Sequence, residues 1–235
     1  VARKSFSKLR SAIAGLYSAV GRLGNAENAF QQARILYPLS PEANFRLVQE
    51  VLMRQGRYTE SKKLMQDFSM QDPGNKRIPD FVKFLENMEK KGRRIGELEN
   101  QLRGGTNDVS LIFELAECYL ETQNGNGFFN TITAILSTSN MPPQIYFRLA
   151  TLCQKGNRYP EMLRALDMSQ AGGGIIFSNA PPEVYVDYAR MYAMVGQYDK
   201  TAWALQEFVR KVPGDWKAWM DLASIHMVIG RTNLA

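Results

Sequence analysis

Residues 192–205 read YAMVGQYDKTAWAL. On both sides of Gly196 the apolar and small residues keep a helical spacing, yet a glycine costs a helix interior about 1 kcal/mol relative to alanine. The cost becomes intelligible once the word is seen to recur. It returns as MRQGRYTESKKL around Gly56, CQKGNRYPEML around Gly156 and MVIGRTNLA around Gly230. Each glycine is expected at a reversal between antiparallel helices, where positive φ is required. Tyr198 is expected to pack its ring across the pair.

The recurrence has a period. Gly21, Gly56 and Gly92 are separated by 35 and 36 residues, Gly196 and Gly230 by 34, and Pro38 and Pro73 by 35. Periods of this size mean stacked supersecondary units. Between the glycines lie paired helical patterns. Tyr185, Tyr188, Ala189 and Tyr192 form one stripe at i, i+3, i+4, i+7, and Thr201, Leu205 and Phe208 form the next before Pro213.

The first unit reads Ile13, Ala14, Tyr17, Gly21, Ala26, Phe30, Ala33 and Pro38. Later units give Phe45/Val48/Leu52, Ile112/Leu115/Ala116/Tyr119 and Tyr146/Leu149/Ala150/Cys153, and the last gives Trp219, Leu222, Ala223, His226 and Gly230. In this pattern the chain resembles the tetratricopeptide (TPR) repeat family. The resemblance implies an all-α, right-handed α-solenoid, a superhelix of about six and a half helix–turn–helix repeats. It would be a single domain over 1–235, with repeats at 7–39, 40–75, 76–106, 107–141, 142–178, 181–214 and 215–235. Small residues (Ala14, Ala116, Ala150, Ala189, Ala223) would let paired helices approach closely. Departures from the pattern are Arg10, Gln49, a shortened second helix RIGELENQLRGG in unit three, and NGNGFF in unit four. A closing capping helix is not visible, so the sequence is expected to be a piece of a longer chain.

Chemistry has little to work with here. No stretch reaches the roughly 18 consecutive apolar residues of a membrane span, and VARKSFSKLR lacks the apolar run of a leader. Cys118 and Cys153 are expected as buried free thiols, and two cysteines with one histidine cannot build a Cys/His zinc site. His226 falls where the repeat wants a buried aromatic residue. RGGTND and AGGGIIF lack phosphate-cradling layouts and read as loops. Glu114, Glu117 and Glu121 read as a solvated acidic strip, and Trp203, Trp216 and Trp219 as core. No catalytic residue, metal or cofactor is expected. The net charge of +6 gathers at Arg3, Lys4, Lys8 and Arg10 and at EKKGRR, residues 89–94.

By the resemblance, the first helix of each unit lines a concave groove. The residues placed there are Arg46, Met53, Arg54, Lys83, Phe113, Phe147, Arg148, Thr151, Val186, Asp187, Arg190, Met194, Met220, Asp221 and Met227. Arginines among Phe, Val and Met suit a protein or peptide partner carrying acidic and apolar groups. Ile175, Ile176 and Phe177 form either loop packing or an apolar handle for a partner. The function expected is a protein–protein interaction module without catalysis of its own. One alternative is the soluble C-terminal tail of a larger membrane protein of glycosyltransferase-like kind. Another, nucleic-acid binding by helical repeats, is weakened because glutamates interrupt any basic stripe.

Overall fold

Among the described residues six chain reversals share one hydrogen-bonding pattern, and they organise everything else. The structure, a computed structural model, describes residues 2–105, 108–138, 141–171 and 180–231. At each reversal an amide reaches back five residues to the last turn of the preceding helix: Arg22 to Tyr17, Arg57 to Leu52, Asn124 to Tyr119, Arg158 to Cys153, Gln197 to Tyr192 and Arg231 to His226, all at 2.8–3.0 Å. This is the Schellman closure, and it needs a left-handed residue just before the donor. Gly21, Gly56, Gly196 and Gly230 supply it with φ of 72–76°.

Gly156 does not fill that role. Its φ is −86°, and Asn157 takes the left-handed place (φ 54°), as Gln123 does one unit earlier (φ 57°). Asparagine tolerates this conformation through its short polar side chain. Gly156 is needed for another reason: a Cβ there would stand 2.4 Å from Cε1 of Phe128.

The chain divides into two compact units, Val1–Gly125 and Asn126–Ala235. The first holds α1 (Ala2–Ala19), α2 (Leu23–Leu36), α3 (Pro41–Leu47), α4 (Tyr58–Gln71), α5 (Arg77–Arg103) and α6 (Val109–Glu121). The second holds α7 (Gly125–Ser137), α8 (Pro143–Lys155), α9 (Tyr159–Ala171), α10 (Pro182–Met194), α11 (Tyr198–Lys211) and α12 (Trp216–Val228). Helix starts carry sequence signals. Ser40 accepts from the Ala43 amide ahead of Pro41, Asp108 accepts from Ser110, and Asp215 accepts from Lys217 and Ala218. Ala14, Ala116, Ala150 and Ala189 are buried where helices meet, while Ala223 is half-buried.

Unit three is corrected by the structure. No turn forms at Gly92, and α5 runs unbroken for 27 residues. The segment is rich in Lys, Arg, Glu and Leu, all good helix formers. Ion pairs Arg93–Glu89, Arg94–Glu97 and Arg103–Glu99 bridge successive turns. Gly92 instead leaves room for the ring of Tyr58, whose Cδ2 lies 3.3 Å from where a Cβ would be. That contact buries Tyr58, whose hydroxyl donates to the Thr122 carbonyl. Tyr198, in contrast, remains 39% exposed rather than packed across its pair.

The departure at Gln49 has a local solution. After Leu47 the helix continues through a π-helical turn, Val48–Leu52. It turns Gln49 to solvent while Val48, Val51 and Leu52 stay buried. The tryptophans are also corrected: Trp203, Trp216 and Trp219 are substantially exposed.

Candidate partner-binding surface

Helices α8 and α10 lie side by side and run in the same direction. In the first half of α8 and at the middle of α10, the Phe147 ring stacks on Tyr188, centroids 4.8 Å apart and planes at 7°. Near their ends the Gln154 amide stands 3.1 Å from the Met194 sulfur. Tyr188 is fixed from behind, since it is buried and its hydroxyl lies 2.5 Å from that of Ser169 on α9. Burial raises its phenol pKa above the ordinary value. Thr151 donates to the Phe147 carbonyl one turn back.

What a partner could touch of this floor is the half-buried Phe147 and Val186, with buried Tyr188 holding the Phe147 ring from beneath. Its rim carries Arg148, Arg190 and Met194, all exposed. Arg190 pairs with Asp187 at 3.2 Å, so the rim combines both signs rather than offering unopposed positive charge. On α12, Met220, Asp221 and Met227 are exposed. Gln154 carries no sequence signal of its own, and only its contact with Met194 marks it.

The candidates in the first unit divide differently. Arg46 is committed to packing: it pairs with Glu50 and Glu42, donates to the Ser11 carbonyl and lies over the Phe30 ring. Its guanidinium occupies the space left by Gly15, and the Glu50 hydrogen bond first among its causes raises its pKa. Arg54 donates to the carbonyl and hydroxyl of Ser18 on α1. Met53 packs on the core of α1–α5. Phe113 is fully buried, so it belongs to the packing between helices and not to a face a partner could touch. Lys83 is exposed on α5. Ile175, Ile176 and Phe177 lie outside the described residues.

The basic run 89–94 and the acidic strip on α6 turn out to be partners. Arg94 grips both carboxylate oxygens of Glu114 at 2.7 and 2.9 Å, and Lys91 pairs with Glu121. Lys62 of α4 meets Glu89 at 2.5 Å. Tyr119 donates to Glu99, and burial first, with that carboxylate second, pushes its phenol up to about 12. The Arg94 hydrogen bond holds the Glu114 carboxyl below its usual range. The run therefore joins α4, α5 and α6 instead of presenting a basic surface.

Reactive groups are withdrawn. Cys118 and Cys153 are buried free thiols, and burial pushes Cys153 up to about 12. His226 is buried as expected, with Nε2 at 3.3 Å from the Gln206 amide. Among the described residues no cluster of His, Cys, Asp and Glu is placed to hold a metal ion, and no helix is long and apolar enough to cross a membrane.

No family model and no curated protein matches the sequence. Among solved structures, 95% of the chain is similar to all of Pseudomonas aeruginosa pilF, at 15% identity and a TM-score of 0.37. The chain also resembles the Naa15/Naa10 complex bound to HypK-THB over 94% of its length and 34% of that chain, at 14% identity and a TM-score of 0.45. It spans about a third of that protein. The C-terminal part of a TPR repeat-containing protein from Cytophaga hutchinsonii is similar over 92% of this chain and 87% of its own, at 15% identity and a TM-score of 0.41. What the helix pairs themselves show is an all-α array of helical repeats, of the kind seen in tetratricopeptide-repeat structures.

Proposed function

We propose that the chain is a protein–protein interaction module without catalysis of its own, and that the α8/α10 face holds a partner segment carrying acidic and apolar groups. The observation behind this reading is the stacked Phe147–Tyr188 pair beside exposed Arg148, Arg190 and Met194. The half-buried Phe147 ring, held from beneath by Tyr188, gives apolar side chains a place to bury, and the arginines give carboxylates a bidentate partner. A thioether on the rim adapts to varied shapes. The protonated, buried thiols support the absence of nucleophilic chemistry.

The test is fluorescence anisotropy of the chain against a labelled peptide library of alternating acidic and apolar composition. Arg148→Glu with Arg190→Glu should abolish saturable binding while leaving the thermal melt in place, because both side chains are exposed. Equal binding by the folded double variant would sink the proposal.

A further inference from the structure

Arg34, near the end of α2, is a half-buried cation without a carboxylate partner among the described residues. Other cations of the first unit have one: Arg46, Arg57, Lys62 and Arg94 each pair with a glutamate at 2.5–2.8 Å. Arg34 instead donates its Nε–H to the neutral Oδ1 of Asn44 on α3, at 2.7 Å. Asn44 is itself buried, and its amide donates to the carbonyls of Pro38 and Ser40, both at 2.9 Å. The guanidinium is thereby held in place, while its terminal N–H groups find no partner among the described residues. Burial lowers its pKa below the ordinary arginine value, and the field of Asp67 on α4 offsets this only in part, without an ion pair forming.

The repeat does not require this polar pair. Gly21 and Gly196 hold equivalent left-handed turn positions, as do Gly56 and Gly230. Counting from these glycines sets Arg34 with Val209 and Asn44 with Ala218. Both counterparts are apolar and buried. An arginine and an asparagine thus stand in the first unit at positions that the second unit fills with a valine and an alanine. A guanidinium drawn out of water at such a place costs stability unless an opposite charge compensates it.

Arg34 lines an open groove between two consecutive helix pairs. Gln31, Arg34 and Ile35 of α2, with Pro38 after it, form one wall and Gln71 of α4 the other, around a volume of about 380 Å³. None of these lining residues is acidic. Ile35 stands out as an exposed apolar shoulder, and the exposed amides of Gln31 and Gln71 can pair with the main chain of an extended segment. A bare inorganic anion would leave the apolar shoulder unused. We infer that this groove binds an acidic side chain of a peptide segment, its carboxylate received by Arg34 and a neighbouring apolar residue laid against Ile35 and Pro38. The site lies in the first unit and does not depend on the α8/α10 reading.

The test titrates the full chain with the capped tripeptide acetyl-Leu-Glu-Leu-amide and follows the Arg34 Nε–H signal by NMR. A saturable shift is expected, with a dissociation constant in the millimolar range that one charge-assisted contact and a small apolar contact support. The Leu-Gln-Leu analogue, free glutarate and inorganic phosphate should each bind at least about tenfold more weakly. Gln71→Glu sets a like charge in the groove and should also weaken the tripeptide about tenfold, with the thermal melt unchanged because the side chain is exposed. Asp67→Asn removes the carboxylate that opposes the ligand and should tighten binding about threefold, an effect that a purely structural role for Arg34 does not give. Gln66→Glu, exposed on α4 but outside the groove, and the Arg148/Arg190 double variant should respond as the parent does. The proposal is overturned if the Arg34 signal does not respond, if Gln71→Glu binds the tripeptide equally well, or if Asp67→Asn weakens binding. Glutarate or phosphate binding as tightly as the tripeptide overturns it too, because the ligand would then be a free anion.

Discussion

The bare α-carbon of Gly156 is what admits the Phe128 ring, whose Cε1 would lie 2.4 Å from a Cβ at that position. Because φ at Gly156 is −86°, alanine meets no backbone objection there, only the ring. Gly156→Ala should therefore destabilise the second unit by about 1–3 kcal/mol through overpacking. Adding Phe128→Leu should recover part of that loss, so the pair will be non-additive in a double-mutant cycle of urea melts. Additive losses would mean the ring does not set the requirement.

The six shared turns make a second prediction, since four use glycine and two do not. Gly196→Ala at φ +73° should cost about 1 kcal/mol. Gln123→Gly should act in the opposite sense and stabilise by about 0.5–1 kcal/mol, the relieved strain exceeding the entropy added to the unfolded chain. Thermal denaturation of the two variants beside the parent checks both signs.

Arg46 distinguishes a packing role from a binding role. Removing it leaves Glu50 without its closest cation and empties the space beside Gly15. Arg46→Met should lower stability by about 1 kcal/mol, a figure kept small because the pair is partly solvated. The same variant should capture peptides at the α8/α10 face as the parent does, measured by anisotropy.

Cys153 gives a pH dependence with a definite sign. The thiol ionises near 9.0 when unfolded, and burial pushes it up to about 12 in the fold. Its contribution is complete below pH 9 and declines as pH rises toward 12, because only the unfolded chain then releases the proton. Urea melts at pH 8 and pH 10 should show a smaller drop for Cys153→Ala than for the parent. An unchanged slope would place the raised pKa in doubt. Native thiol labelling should be slow at Cys153 for the same reason.

The helix pairs were legible in the sequence because the turn closes on a backbone pattern that glycine marks. Where another residue takes the left-handed place, as Gln123 and Asn157 do, the mark disappears although the turn does not. Conversely, Gly92 carries the mark without the turn, since a glycine also serves where a ring must approach. Spacing alone cannot separate those two uses; a partner such as Tyr58, distant in sequence, decides them. The candidate surface was less legible. Arg148 and Arg190 look alike to Arg46 and Arg54 on a helical wheel, yet the latter two are spent holding α3 and its extension to α1. Phe113 sits on a first helix, where neighbouring helices bury it fully.

The unbroken course of α5 alters how the first unit comes apart. Elsewhere a left-handed turn lets a two-helix hairpin open and reclose on its own, so local opening proceeds in steps of one pair. Helix α5, about 40 Å long at 1.5 Å per residue, packs on α4 and on α6 and has no such stop between them. Ion pairs from Lys62 to Glu89 and from Arg94 to Glu114 fasten its two neighbours along the same rod. The smallest cooperative step in this region is accordingly three helices, and slowly exchanging amides on α4, α5 and α6 will share one opening free energy.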